Sequence, residues 1–267
     1  MARRTITGTL LGVAVLASAA SVPSFTLVLL LVSLASLWEF AQLSARKGPG
    51  IVLPVAVFGV VAYILLTAFG LQHHYERPLL GATIILTVAF GLAGSRQGYL
   101  ARCAFTLFGV LYIGWLGSYF IALRTLPHVG SGLAVASILL IATTDIFAML
   151  VGTSIGRTPL SPISPRKTWE GAIGGLVASS ALGAALGLVP QLGIEWWQGL
   201  LAGAITSVAA QAGDLVESAL KRDAAVKDAG TLLWGHGGML DRYDSYIFGG
   251  IAFYFAMWLT GHVPPHP

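Results

Sequence analysis

Apolar runs of roughly 17 to 25 residues recur from one end of this chain to the other, the length a helix needs to cross a bilayer's hydrocarbon core. Nine can be marked, at about residues 5–22, 24–43, 51–72, 78–94, 100–123, 132–155, 171–190, 196–217 and 245–262. Of the 267 residues, 56% are hydrophobic and 10% charged, and the mean hydropathy of +0.81 is too high for a water-soluble domain. Abundant Gly and Ala suit close helix–helix packing in lipid. The expected fold is therefore an all-α polytopic membrane protein of about nine transmembrane helices. No linker is long enough to divide it and no repeat is evident. Residues 1–267 read as one membrane-embedded domain, with 1–130 mainly scaffold and 131–262 carrying the chemistry.

Orientation follows from the cations, which accumulate on the cytoplasmic side of membrane proteins. With nine spans, one face collects Arg3, Arg4, Arg46, Lys47, Arg96, Arg102, Arg157, Arg166, Lys167, Lys221, Arg222, Lys227 and Arg242, and the other only Arg77 and Arg124, accounting for all 15 Lys and Arg. The N-terminus is thus expected in the cytoplasm and the C-terminus outside, in the cytoplasmic membrane. Arg3-Arg4, the first apolar run and Ala17-Ser18-Ala19-Ala20 also resemble a secretory signal peptide. Its removal would leave eight spans and keep every later loop on its side.

The net charge of +4 comes mostly from the loops assigned to the cytoplasm and favours anionic headgroups or substrates. No aromatic–basic pattern points to nucleic acid. The single cysteine, Cys103, reads as a small buried apolar residue.

An ionisable group deep in lipid costs roughly 2.5–3.5 kcal/mol on insertion scales, so each one calls for a reason. Glu39, Asp145, Asp214 and Glu217 fall inside or at the ends of apolar runs. Trp38 suggests an interfacial position for Glu39. Asp145 sits beside Thr143 and Thr144. Asp214 and Glu217 are spaced i, i+3 and share a helix face, which Ser218 and Lys221 continue. Asp214 reads as a cation ligand.

The densest polar stretch is Ser218–Ser245, SALKRDAAVKDAGTLLWGHGGMLDRYDS. Its Gly235-His236-Gly237-Gly238 turn lets backbone N–H groups approach phosphate oxygens closely. Lys221, Arg222 and Lys227 add positive charge, and Arg can contact phosphate through two donors. Asp241 and Asp244, with Asp214 upstream, offer hard oxygen ligands suited to Mg2+. Carboxylates, a divalent ion and cations around a phosphate are the equipment of phosphoryl or nucleotidyl transfer. A merely solvated connector would explain the cations but not the interleaved aspartates. A second motif, Ser161–Gly175 (SPISPRKTWEGAIGG), presents Arg166, Lys167 and Thr168 at a helix start, where free N–H groups favour anions.

Taken together these segments resemble the phosphatidate cytidylyltransferase family, also called CDP-diacylglycerol synthase. The family's signature is read here in Ser218, Leu220, Lys221, Arg222, Lys227, Asp228, Gly230, His236, Gly237, Gly238, Asp241, Arg242 and Asp244. The Ser161–Gly175 segment is similar to the family's Ser-Pro-Lys-Lys-Thr-Trp-Glu-Gly stretch, and Asp145 with Gly156-Arg157 and residues 108–119 also fit. Trp234 stands where the family has Pro, Tyr243 where it has a smaller apolar residue, and Met149 where it often has Tyr. The resemblance implies transfer of the cytidylyl group of CTP to phosphatidate, giving CDP-diacylglycerol and pyrophosphate, with Mg2+ and a second ion such as K+. It implies Asp214 and Asp241 as metal ligands, Asp145 as a further candidate, and Asp214, Lys221, Asp241 and Asp244 as the catalytic set. Substrate contacts are then expected from Ser164, Arg166, Lys167, Thr168, Arg222, Lys227, Asp228, Gly235, His236, Gly237, Gly238 and Arg242. A homodimer is implied by the resemblance alone.

Two other readings share parts of this pattern. A CTP-dependent lipid kinase of the dolichol-kinase type would use the same metal and phosphate groups but move the γ-phosphoryl group. A secondary transporter would explain intramembrane aspartates, but its sites generally lie near the midplane between repeated halves.

Overall fold

The computed structural model describes residues 12–94, 97–230 and 237–263. Among them the regular structure is helical: α1 (Val22–Lys47), α2 (Leu53–Ala68), α3 (Gln72–Gly91), α4 (Tyr99–Gly109), α5 (Leu116–Arg124), α6 (Gly130–Ile155), α7 (Trp169–Leu186), α8 (Trp196–Asp223) and α9 (Leu240–Leu259). A π-helical segment, Val110–Trp115, joins α4 to α5 without a break. Each of the apolar runs from 24–43 onward falls on one helix or one such continuous stretch. Among the described residues, four stretches are long and apolar enough to cross a membrane: Val22–Lys47, Tyr99–Arg124, Gly130–Ile155 and Trp196–Asp223. Large apolar side chains such as Leu31, Ile85, Met149, Val177 and Val208 lie on the outside. In water that surface would aggregate, and in lipid it is the solvent-facing side. The protein is a helical membrane protein.

The chain forms two compact units, residues 1–122 with 220–243 and residues 123–219 with 244–267. In the first, glycines let helices approach closely. A Cβ on Gly114 would stand 2.8 Å from Val60 Cα, and one on Gly109 would stand 3.0 Å from the Phe40 ring. Cys103 is buried there, as expected, with its thiol 3.8 Å from Thr87 O.

In the second unit α6, α7 and α8 meet at a seam of small residues. A Cβ on Gly203 would stand 2.9 Å from Ser180 Cα, and one on Gly183 would run into Gly199's carbonyl. Ser179 Oγ, fully buried, is 3.2 Å from both Leu140 O and Gly203 O, linking α7 to α6 and α8. Small residues that bring backbones together are what drives helix association where lipid removes the hydrophobic effect.

Candidate active site

In the second unit, α8 carries Asp214 and Glu217 one turn apart, and the first turns of α9 bring Asp244 to them. One carboxylate oxygen from each of the three lies within 4.8 Å of the others. Close approach here depends on Gly213, where a Cβ would come 2.7 Å from Asp244 O. Glu217 is fully buried, Asp244 is 5% exposed, and Asp214 opens toward the surface. Lys167 Nζ lies 2.5 Å from Asp214 Oδ2. Asp145, on α6, is 3.5 Å from Ser245 Oγ.

The segment that delivers Lys167 is shaped by its own hydrogen bonds. Leu160 N–H donates to Lys167 O, Trp169 N–H to Thr158 O and Lys167 N–H to Ser164 O, folding residues 158–169 back on themselves around a Pro159–Thr168 bridge. Thr168 caps α7, its Oγ1 accepting from Gly171 N–H at 3.2 Å. Glu170 closes the base of the loop: its carboxylate accepts from Thr158 N–H at 3.2 Å and Thr158 Oγ1 at 3.0 Å. Its own backbone N–H, then those of Arg157 and Thr158, hold the carboxyl below its ordinary titration range. Arg166 is exposed at the tip and Ser164 half-buried.

In the first unit, Asp241 is the hub. Its Oδ1 accepts from Lys221 Nζ at 2.6 Å, and its Oδ2 from Ala229 N–H at 3.0 Å and Gly238 N–H at 2.7 Å. The two side chains are only 14% and 10% exposed. Gly237 has φ +80, and a Cβ there would stand 2.9 Å from Asp241 Oδ2, so the turn takes glycine on both counts. Upstream, α8 ends in a reversal in which Val226 N–H donates to Lys221 O and Ala225 N–H to Arg222 O. That is a Schellman ending with Ala225 in the left-handed position at φ 55, where glycine is usual. Arg222, Lys227, Asp228 and Arg242 are exposed around it. Gly235, His236 and Trp234 lie outside the described residues.

The site residues expected from sequence thus fall into two groups. Asp214, Asp244 and Lys167 come together in one unit, Lys221, Asp241, Gly237 and Gly238 in the other. Glu217 joins the acidic group, a place its i, i+3 spacing from Asp214 had already indicated. Glu39, expected at the membrane interface, is 1% exposed, and its Oε2 accepts Leu240 N–H at 2.8 Å. Adjacent helical residues point about 100° apart, so Trp38 is half exposed while Glu39, at nearly the same level along α1, faces inward.

Comparison with known proteins decides what this equipment belongs to. The profile of the Cytidylyltransferase family matches residues 2–260. The chain belongs to that family. Among its relatives is the phosphatidate cytidylyltransferase of Bacillus subtilis, 34% identical over 245 residues and aligned over 88% of this chain and 89% of its own length. The Synechocystis protein of the same name is 34% identical with the same coverage. Chloroplastic phosphatidate cytidylyltransferase 4 of Arabidopsis thaliana is 41% identical over 181 residues, 58% of this chain and 45% of the plant protein. The chain thus spans about half the length of that plant relative and most of the length of the two bacterial ones. The carboxylates and cations above are groups that cytidylyl transfer would need.

Proposed function

We propose that this enzyme transfers the cytidylyl group of CTP to phosphatidate, releasing pyrophosphate and forming CDP-diacylglycerol. The observation that carries the reading is the family match across nearly the whole chain, with relatives of matching length that bear that name. Three clustered carboxylates beside a lysine provide groups suited to the chemistry.

The donor set fits a divalent cation. Asp214, Glu217 and Asp244 offer hard oxygens within 4.8 Å of one another, the donor type that suits Mg2+. Those three would hold the ion, with Asp145 of the same unit as a further candidate and K+ as a second ion. Mg2+, when bound, neutralises the triphosphate and stabilises charge on the departing pyrophosphate.

The rest falls to the protein's own side chains. The lipid phosphate is already an anionic nucleophile, so no general base is required. A phosphatidate oxygen bonds to the α-phosphorus of CTP as the bond to the α,β-bridging oxygen breaks, and the electron pair leaves with pyrophosphate. Lys167 and Lys221 offer positive charge to phosphoryl oxygens, Lys167 by exchanging its carboxylate for substrate and Lys221 while still paired with Asp241. Arg166, Arg222, Lys227 and Arg242, exposed beside the two lysines, attract the anionic reactants to the surface. The Gly237-Gly238 backbone offers N–H donors to phosphate.

The distribution of Lys and Arg supports a nine-span topology with these loops and the N-terminus in the cytoplasm, where CTP is found, and the enzyme in the cytoplasmic membrane. The homodimer rests on the family resemblance. Detergent-solubilised protein given phosphatidate, Mg2+ and CTP labelled at the α or the γ position tests the reaction. Label should enter lipid from the α position only. Entry from the γ position alone would identify a lipid kinase instead.

A further inference from the structure

Glu39 stands far from the signature in sequence and takes no part in the chemistry proposed above. Yet its side chain is buried in the first unit against the two backbone segments that flank Asp241's hub. Its Oε2 accepts Leu240 N–H, one of the N–H groups left free at the start of α9. Gly230 and Gly238 lie flat on the same carboxyl group. A Cβ on Gly230 would stand 2.5 Å from Glu39 Oε1 and 2.7 Å from its Cδ, and one on Gly238 would stand 2.8 Å from that Cδ. Gly238 N–H and Ala229 N–H, each in or next to these packed glycines, are the same groups that donate to Asp241.

We propose that Glu39 is a positioning residue for Asp241, fixing the loop backbone that sets its carboxylate. The helix start needs an acceptor, and Met239 ahead of it has no polar side chain to supply one. Glu39 supplies it from α1. A carboxyl group at this point also explains why two positions on opposite sides of the loop are glycine: each leaves room for it. Asp241 then receives two backbone N–H groups at fixed places, and Lys221 completes the set. The proposal rests on the reading of Asp241 as part of the active site, but its structural half can be measured without any activity.

Full-length Glu39→Ala, Glu39→Gln, Gly230→Ala and Glu39→Ala/Gly230→Ala proteins in detergent test it by two readouts. The first is hydrogen exchange of the backbone over residues 237–243, with 169–186 as the internal control. Losing a helix-start acceptor should speed exchange in 237–243 about tenfold in Glu39→Ala and leave the control unchanged. The second is turnover with CTP and phosphatidate. A shift of about 1 Å in a catalytic group costs about 10²-fold, so kcat should fall by that order in Glu39→Ala with little change in the KM for CTP. Glu39→Gln keeps an oxygen acceptor and should recover most of both losses. Gly230→Ala alone should be costly, but adding it to Glu39→Ala should cost little more, because the nearest atoms its Cβ would meet all belong to the Glu39 side chain.

Unchanged exchange over 237–243 in Glu39→Ala overturns the proposal, as does kcat within about threefold of the parent. Equal losses in the Gln and Ala variants also overturn it, since the acceptor would then not matter. If the parent forms no CDP-lipid while Glu39→Ala still exchanges faster, the loop assignment stands and the proposed reaction fails.

Discussion

Two aspartates given the same expected role from sequence are held in different ways. Asp241 is anchored by Lys221 and two backbone N–H groups, with its side chain 10% exposed. Asp214 meets Lys167 alone among the contacts described above and is 36% exposed. A carboxylate already satisfied by backbone amides is part of the fold's wiring. One paired with a half-buried lysine on a short loop can trade that partner for an ion or a phosphate at small structural cost. The difference separates a group whose loss should break the loop along with the chemistry from one whose loss should break the chemistry alone.

The largest expected effect lies on the Asp214 side. Asp214→Asn should reduce CDP-lipid formation by about 10²–10³-fold, the range seen when one preorganised electrostatic partner is removed. Its thermal unfolding in detergent should stay close to the parent's, because Lys167 at 25% exposure can rehydrate. A large fall in unfolding temperature would erase the contrast with Asp241. The next effect is on the other side. Lys221→Met leaves Asp241 with its amide donors but removes the charge paired with it, and breaking a buried pair this way costs about 3 kcal/mol. Chemical denaturation in micelles should show that loss, and an unchanged midpoint would put Lys221 among the exchangeable groups with Lys167.

A smaller effect, of opposite sign, tests the helix ending that carries Lys221. Ala225 adopts a left-handed conformation that costs an L-residue about 1 kcal/mol relative to glycine. Ala225→Gly should therefore raise stability by about that amount, offset in part by the greater freedom of the unfolded chain. If it lowers stability instead, the Ala225 methyl contributes packing that outweighs the strain.

How much of this was legible in the sequence depends on the range of the interaction. Helix positions came from runs long enough for lipid, and the helices coincide with eight of the nine runs because backbone hydrogen bonding in an apolar stretch is local. Asp214, Glu217 and their shared face followed from i, i+3 spacing. Pairing across the chain did not. Nothing in RKTWEG says that Lys167 meets Asp214, or in LWEF that Glu39 turns inward to cap a helix two hundred residues on. Those depend on which helices become neighbours, and that is decided by small residues such as Gly183, Gly199 and Gly203, whose spacing in one helix does not name its partner. The glycines at 230 and 238 read as signature positions, while their packing reason lies in α1.

The smallest effect concerns the loop that carries Lys167, where the wiring is exposed and single. Glu170 holds Thr158 and is itself held below the ordinary carboxyl range by its own backbone N–H and by Arg157 and Thr158. A lowered folded-state pKa means the ionised form favours the closed loop. That contribution is fully present above the unfolded carboxyl value and disappears as pH falls through the lower, folded one. Cleavage of residues 156–168 by an acid-tolerant protease should therefore be slow at neutral pH in the parent and accelerate on acidification. Glu170→Gln should be cleaved faster than the parent at neutral pH, and the two should converge at low pH, where both carry a neutral side chain. Parallel profiles with no convergence would mean that shape rather than charge closes the loop, leaving Lys167 placed by the Pro159–Thr168 bridge and its N–H bond to Ser164 O.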